Sequence, residues 1–564
     1  MQKSWQIFPT NKELTNKIGI LLQKKPVTAQ ILLNRNIKSL DQAKSFINPS
    51  AEETNASFET ESLNTAINIL KTSIENKEKI LVYGDYDVDG ITSTALMTAA
   101  IEKLGGIVEF HIPHRFREGY GLNTEYLNKR LKNNYGLLIA LDCGISNFEE
   151  IAHIKKTTKT KVLILDHHNI PAQIPNADAI LNPKTQPKDH PFHFLCTVGI
   201  VYKFLEFFCN HQKKDIHLKS FLDLVAMGTI ADIVPLTRTN RTLTRAGLKV
   251  LSKRKRTGLN CLLEIANFKK DYISSRDISF VIAPRLNAAG RIDSATLSAE
   301  LLITSDKTHA QNLAYKLQKL NEKRQQIEAT IFQEALKLVE ADEANKDSKV
   351  IVLSGKNWHA GVIGITASKL VERYTKPVIL IAENNTIGRG SARTTGNFDI
   401  YSLINKFSNQ LISFGGHKAA AGFSITPTEI KSFKQNLYQE TATNTKEKEL
   451  IPVLDIDCRL SPKEISKELI KEIQELAPFG AGNPIPTFYT NQLHPIDFKK
   501  VGNGSHLKIT LTSEDGNLIF DAIGFGLSNK IDLLYGSKIE LAFNLEINTW
   551  GGYEAPQLQL IDIK

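Results

Sequence analysis

The sequence predicts an α/β protein: a parallel sheet, a long helix, a second α/β region and a closing all-β barrel. Three observations carry that expectation. Short apolar runs alternate with helical spacings from about residue 79, and three of those runs end in an acid. The stretch from Ala295 to about Asn345 holds neither glycine nor proline. After Ile451, alternating apolar and polar residues are punctuated by turn pairs. Strands interleaved with helices favour parallel βαβ units, whose ligands gather beyond the carboxyl ends of the strands.

The elements follow in chain order. Residues 1–55 are mixed and polar and read as short helices forming an N-terminal extension. Lys79–Asp85 is an apolar run ending in acid, and Ile91–Leu104 has helical spacing. Val108–Pro113, Gly136–Asp142 and Lys161–Asp166 are further strand candidates, with the helical stretch Asn147–Lys156 between the last two. Leu313, Leu317, Leu320, Ile327, Ile331, Ala335 and Leu338 recur mostly at three- and four-residue steps, which describes one apolar stripe. That helix either joins two domains or packs as an ordinary one. Val350–Leu353 and Pro377–Ile381 open the second α/β region, which also holds the glycine-rich segments 388–393 and 414–423. Thr441–Lys448 is polar and charged and reads as a linker. Gly502-Asn503-Gly504, Asp515-Gly516 and Gly551-Gly552 mark turns in the final region. The expected divisions are 1–55, 56–305, 306–345, 346–447 and 448–564.

Composition narrows the class. At ~100–200 residues per domain, 564 residues suggest three or four domains. Hydrophobic residues at 41% and charged residues at 23% exclude wholesale disorder, collagen and a coiled-coil rod. Seventy Lys and Arg against 60 Asp and Glu give +10, which favours a polyanionic partner. The five cysteines form no CxxC pair, so a reducing compartment is expected. No secretory leader and no apolar run of membrane-spanning length is visible, so the expected location is cytoplasmic with no membrane partner.

The densest chemistry is Gly84-Asp85-Tyr86-Asp87-Val88-Asp89-Gly90. Three carboxylates at alternate positions between a strand and a helix repel one another and call for a cation. A calcium loop would need Glu at its twelfth position, where Leu96 stands. Asp142 and Asp166-His167-His168 then end further apolar runs, and Asp232 lies inside the apolar run Met227–Pro235, where an unpartnered acid would be costly. A lone Asp or His at such a place is ordinarily a cap or a core residue. Together they make a carboxylate and imidazole set, which suits Mn²⁺ or Mg²⁺. Several bridging carboxylates would admit two ions.

GDYDVDG, LDCG, DHH and GTIADIVPL, in that order, resemble the four motifs of the DHH phosphoesterase superfamily. APRLNAAGR at 283–291, WHAGVIG at 358–364, FGGHKAAAGF at 414–423 and APFGAGNP at 477–484 narrow the resemblance to its RecJ branch of single-strand-specific 5′→3′ exonucleases. The resemblance implies a DHH catalytic domain, a connecting helix, a DHHA1 domain facing it across a cleft and a C-terminal OB-fold that binds nucleic acid. It also implies that the additional C-terminal domain of some longer relatives is absent.

By that resemblance Asp87, Asp89, Asp142, His167 and Asp232 would hold two divalent ions, Mn²⁺ or Mg²⁺, with Asp89 and Asp142 bridging. Asp85 would coordinate or support a ligand, Asp166 would orient a histidine ring, and His168 would meet the scissile phosphate. Arg285, Asn287, Ser391, Arg393, Gly415, Gly416 and His417 match substrate-binding positions. For Arg285 and Asn287 the alternative is interdomain hydrogen bonding; each glycine-rich piece alone would be only a turn. His111–Arg117 either grips the 5′ end or is a basic surface loop. Lys253–Arg256 reads as solvated surface and Trp358 as support for the second domain. The implied activity is metal-dependent 5′→3′ hydrolysis of single-stranded DNA to 5′-mononucleotides in repair and recombination, by a monomer with a helicase and a single-strand-binding protein as partners. A phosphodiesterase for shorter substrates would lack the barrel, and a non-enzymatic scaffold would have lost acids that this chain keeps.

Overall fold

The computed structural model describes residues 3–49, 56–132, 135–342, 345, 347–536, 538–548 and 554–564. The chain divides into two compact units, Arg35–Asn321 with Ile473–Ile485, and Met1–Asn34 with Glu322–Glu472 and Pro486–Lys564. The expected turn at Gly551-Gly552 and residues 51–55 of the N-terminal region lie outside the described residues.

The first unit is built on five parallel strands in the order Ile107–His111, Lys79–Tyr83, Tyr135–Leu141, Lys161–Leu165 and Ala179–Leu181. Successive side chains alternate between the two faces. Ile80, Val82, Leu137, Ile139 and Leu163 enter one core with the helices Thr60–Glu75, Val88–Lys103, Thr197–Gln212 and Leu222–Ala231. Leu81, Tyr83, Leu138, Val162 and Ile164 enter another with Leu127, Leu131, Ile151 and Ile154. Burial on both faces is why these strands read as continuous apolar runs. Leu222–Ala231 is apolar around its circumference because every residue of it is buried except Ala231.

The second unit holds a five-stranded sheet in the order Leu411–His417, Ala420–Ile425, Gly388–Arg393, Val378–Glu383 and Ile351–Lys356. The glycine-rich segments are strands: Phe423 lies opposite Gly390, and a Cβ on Gly390 would stand 2.0 Å from the Phe423 ring. The reading of Thr441–Lys448 as a linker is corrected. The helix Ile430–Asn444 runs through it, with Phe433, Leu437 and Thr441 buried at four-residue steps, and Lys349 Nζ donates to the Thr445 carbonyl at 2.6 Å.

The same unit carries a seven-stranded sheet whose central members are Leu541–Asn548, Ala555–Ile563, Ile519–Gly524 and His506–Ser513. Its alternation is strict in His506–Ser513, where Leu507, Ile509, Leu511 and Ser513 point inward. The N-terminal residues belong to this body. Ser4–Ile7 pairs in parallel with Val453–Ile456, and Trp5 Nε1 donates to Asp562 at 2.8 Å.

The long helix runs Lys307–Ala341, and the chain passes from one unit to the other within it. It begins later than the glycine-free stretch because Asp306 accepts from His309 N at 3.0 Å and starts a new helix after Thr296–Ile303. Leu338 is exposed and Val339 takes the buried place. Arg256 also departs from the solvated surface expected for its run. It pairs with the buried Asp223 at 2.7 Å and donates to the Leu302 carbonyl at 2.8 Å. Trp358 stands against Gly355 and donates to Glu334 at 2.8 Å.

Candidate metal centre

The acidic positions other than Asp232 follow strand ends. Lys79–Tyr83 leads into Asp85, and Asp87 then caps the helix Val88–Lys103, its Oδ1 accepting from the Asp89 and Gly90 N–H groups at 2.9 and 3.1 Å. Gly90 is required because a Cβ there would lie 2.5 Å from the Asp85 carbonyl oxygen. The turn therefore folds Asp85, Asp87 and Asp89 back on one another.

The next two strands place Asp142 and Asp166. Asp142 adopts φ 63° directly after Tyr135–Leu141. Its N–H donates to the Leu165 carbonyl at 3.1 Å, so the two strand ends are tied. Asp166 accepts from Ile145 N at 3.1 Å, from His168 N at 3.1 Å and from His168 Nδ1 at 2.7 Å. Asp232 follows the helix Leu222–Ala231, at its C-terminal end.

These residues converge. His167 Nε2 lies 3.4 Å from Asp142 Oδ1 and 3.6 Å from Asp232 Oδ2. Three sets of donor atoms each fall within 4.8 Å: Asp142, His167 and His168; Asp89, His167 and Asp232; and Asp85, Asp87 and Asp142. Asp142 and His167 recur among the sets, so the sets share ligands. Asp85 Oδ1 and Asp232 Oδ2 are buried and accept no hydrogen bond. A buried, unsatisfied carboxylate oxygen is costly in a protein interior. Hard oxygen donors with one or two imidazoles fit a divalent ion such as Mg²⁺ or Mn²⁺.

The electrostatics agree. Burial, then the charges of Asp87 and Asp142, push the Asp85 carboxyl well up. Burial and the charges of Asp142 and Asp232 push Asp89 up likewise and raise Asp87 to about 7. Burial raises Asp232 to about 6 against the opposing His167 charge. Asp142 is the exception. Burial would raise it, but the hydrogen bond and charge of His167 and the Thr197 hydroxyl hold it below the usual range. Burial would lower His167, yet Asp142, Asp232 and Asp89 together lift it to about 10. Burial likewise opposes the Asp166 bond and charge at His168, and Asp166 prevails, raising the ring. The cluster thus carries more negative charge than its own groups can balance.

Several participants were invisible in the sequence. The first turn of the helix Thr197–Gln212 donates Thr197 N and Val198 N to the two Asp89 oxygens at 2.6 and 2.9 Å. Thr197 Oγ1 donates to Asp142 Oδ1 at 2.9 Å. The Tyr120 hydroxyl lies 3.4 Å from the Asp142 carbonyl oxygen and from His168 Nε2. Thr197 and Val198 belong to no pattern of acids, and Gly119 and Gly121 beside Tyr120 mark only a turn, so no local signal assigns them to the site. Arg115 stands over the Tyr86 ring at 4.8 Å, whereas His111 stacks on Tyr126 at 3.6 Å and pairs with Glu118.

The expected substrate residues divide between the two units. Arg285 and Asn287 lie on the helix Ala283–Ile292 of the unit holding the acids. Arg285 donates to the Val281 carbonyl at 2.7 Å and to Gln318 at 2.8 Å. Ser391, Arg393, Gly415, Gly416 and His417 lie in the other unit. Arg393 donates to Ser391 Oγ at 3.2 Å and to the Ala392 carbonyl at 2.7 Å. Gly415, Gly416 and His417 are exposed on the edge strand of their sheet.

Comparison with known proteins places this geometry. Residues 79–229 match the DHH family N-terminal domain, 347–443 the DHHA1 domain and 456–562 the RecJ OB domain. The single-stranded-DNA-specific exonuclease RecJ of Bacillus subtilis is 33% identical over 563 residues, covering 99% of this chain and 70% of that protein. RecJ of Haemophilus influenzae is 34% identical over 549 residues, covering 94% and 93%. The crystal structure of RecJ from Thermus thermophilus in complex with Mn²⁺ superposes with a TM-score of 0.85 at 26% identity, covering 100% of this chain and 79% of that one. Its Mg²⁺ complex gives 0.79 at 25% identity, covering 100% and 78%.

Proposed function

The chain belongs to the RecJ family of single-stranded-DNA-specific exonucleases, and from that premise we propose that it hydrolyses single-stranded DNA from the 5′ end to 5′-mononucleotides. The observation that carries this reading is the convergence of buried Asp85, Asp89 and Asp142 with half-buried Asp87, His167 and Asp232 in ligand sets that share members, two of whose oxygens have no hydrogen-bond partner. In this reading Asp87, Asp89, Asp142, His167 and Asp232 hold two divalent ions, Mn²⁺ or Mg²⁺, and Asp85 supports them. Such ions supply Lewis acidity, lowering the pKa of water and neutralising charge on the phosphoryl oxygens.

The protein's own groups do the rest. Thr197, Val198 and Gly90 donate to the carboxylates and fix their directions. Asp166 binds His168 Nδ1, which leaves Nε2 to meet a phosphate oxygen. The raised pKa of that ring favours the protonated, donating form. Arg285 and Asn287 in one unit, and Ser391, Arg393, Gly415, Gly416 and His417 in the other, are proposed to hold the backbone of the strand. Gly415 and Gly416 leave peptide N–H groups open to approach, and Arg393 supplies charge. The barrel domain is proposed to bind single-stranded DNA. A cytoplasmic role in DNA repair and recombination follows, as a monomer, with a helicase and a single-strand-binding protein as the partners that such an activity requires. No described helix is long and apolar enough to cross a membrane.

End-labelled single- and double-stranded DNA, digested with each metal in turn, tests the proposal. Release of 5′-mononucleotides from single strands only, abolished in Asp142→Ala and retained as binding by that variant, is expected. Cleavage by Asp142→Ala at the wild-type rate refutes the assignment.

A further inference from the structure

Phe280 is 74% exposed, although a Phe side chain ordinarily gains by burial. It sits in the π-helical turn Ile278–Ile282, whose Ile278 and Ile282 are buried while Phe280 faces solvent. Such turns are rare and are frequently found at functional sites. Arg276, also exposed, holds its guanidinium 5.9 Å from the ring centroid. The same helical run continues into Ala283–Ile292, which carries Arg285 and Asn287 and ends against the acidic loop. At that end Gly290 abuts the Tyr86 carbonyl, between Asp85 and Asp87. Ten residues separate Phe280 from Gly290, so the ring stands roughly 15 Å along the helix from the Asp-rich loop. Its position is fixed relative to that loop, yet beyond the nucleotide being cut.

We propose that Phe280 is a stacking platform for a nucleobase of the single strand downstream of the cut, with Arg276 as the adjoining positive charge. The inference rests on the exonuclease reading. A bare aromatic face beside a guanidinium, on the helix that bears the expected phosphate contacts, suits a base with its attached phosphate. Stacking of this kind tolerates every base, because each has a π-face. A polyanion also matches Arg276, which pairs with no carboxylate among the described residues.

Substrate length supplies the test. A dinucleotide is too short to reach a ring ~15 Å from the loop, whereas an oligothymidylate of about twelve nucleotides spans it. In Phe280→Ala the KM for the long substrate should rise about tenfold relative to the KM for the dinucleotide. Phe280→Trp should restore the wild-type ratio and Phe280→Leu should not. With 2-aminopurine placed along the oligonucleotide in EDTA, one internal position should lose its quenching in Phe280→Ala. An unchanged KM ratio, an equal rise on both substrates, or full rescue by Leu overturns the stacking role. Failure of the wild type to degrade either substrate overturns the exonuclease reading, and this inference with it.

Discussion

Gly290→Ala should damage activity far more than stability. Gly290 is buried in the helix Ala283–Ile292, and an added Cβ would lie 2.5 Å from the Tyr86 carbonyl oxygen and 3.3 Å from Tyr86 Cβ. An ordinary C···O contact is ~3.4 Å, so helix and loop must part by about 0.9 Å. The neighbour is backbone, so no rotamer change relieves it. Tyr86 lies between Asp85 and Asp87, whose oxygens share a 4.8 Å ligand set with Asp142. A displacement near 1 Å at catalytic groups costs on the order of 100-fold in rate. Stability is affected less. Overpacking costs ~1–3 kcal/mol, and Ala in place of Gly within a helix returns ~1 kcal/mol. Steady-state hydrolysis, Mn²⁺ calorimetry and a thermal melt on the same preparation separate the two effects. A kcat/KM close to wild type, with unchanged Mn²⁺ affinity, would refute the claim that this contact sets the loop.

Three other outcomes are expected. Half-buried Asp87 and Asp232, raised to about 7 and about 6, keep protons in the metal-free fold that the unfolded chain has lost. Their contribution to metal-free stability therefore falls as pH rises through 6–7, while ions that bind the ionised form gain affinity. The rise in Tm on adding Mn²⁺ should be small at pH 5 and large at pH 8; an increment independent of pH would contradict this. Asp223→Ala strands Arg256 in a buried position and should cost about 3–5 kcal/mol in urea unfolding. Trp5→Ala removes the bond to Asp562 and an edge contact with Tyr489. It should cost the second unit about 2 kcal/mol, less than a fully buried Trp, and speed hydrogen exchange along Ala555–Ile563.

What could be read in the sequence was what local chemistry dictates. Strands buried on both faces show as apolar runs, and although one acid after such a run is ordinarily a cap, the ordered set of eight acidic and histidine positions stood out, while their roles came from the family resemblance. Long-range contacts were not legible. Nothing local to Gly390 shows that Phe423 stands opposite it and needs the missing Cβ. Thr441 reads as linker until Phe433 and Leu437 prove to continue a buried face through it. Trp5 reads as part of an extension until Asp562, 557 residues away, is seen to accept from it. Thr197 is an ordinary hydroxyl in sequence. It matters only because the start of its helix meets two loops from elsewhere in the chain.

The distribution of charge gives the strongest physical argument for a cation at the centre. The chain has 70 lysines and arginines. Among the described residues none forms a salt bridge with Asp85, Asp87, Asp89, Asp142, Asp166 or Asp232, whose ion-pair partners are His167 and His168 alone. Apart from these two histidines, the groups that fix the acids are neutral: peptide N–H groups of Asp89, Gly90, Ile145, His168, Thr197 and Val198, and one threonine hydroxyl. Neutral donors orient a carboxylate without cancelling its charge. A lysine or arginine in their place would stabilise the metal-free fold and fill the position a divalent ion needs. The raised carboxyl pKa values follow from this arrangement, because Arg115 near Asp85 and Lys184 near Asp232 act only from beyond ion-pair distance and protonation is the remaining relief. Introducing such a cation, as in Thr197→Lys, should therefore raise the metal-free Tm while weakening Mn²⁺ binding. Loss of both together would instead mean that the helix start was merely disrupted.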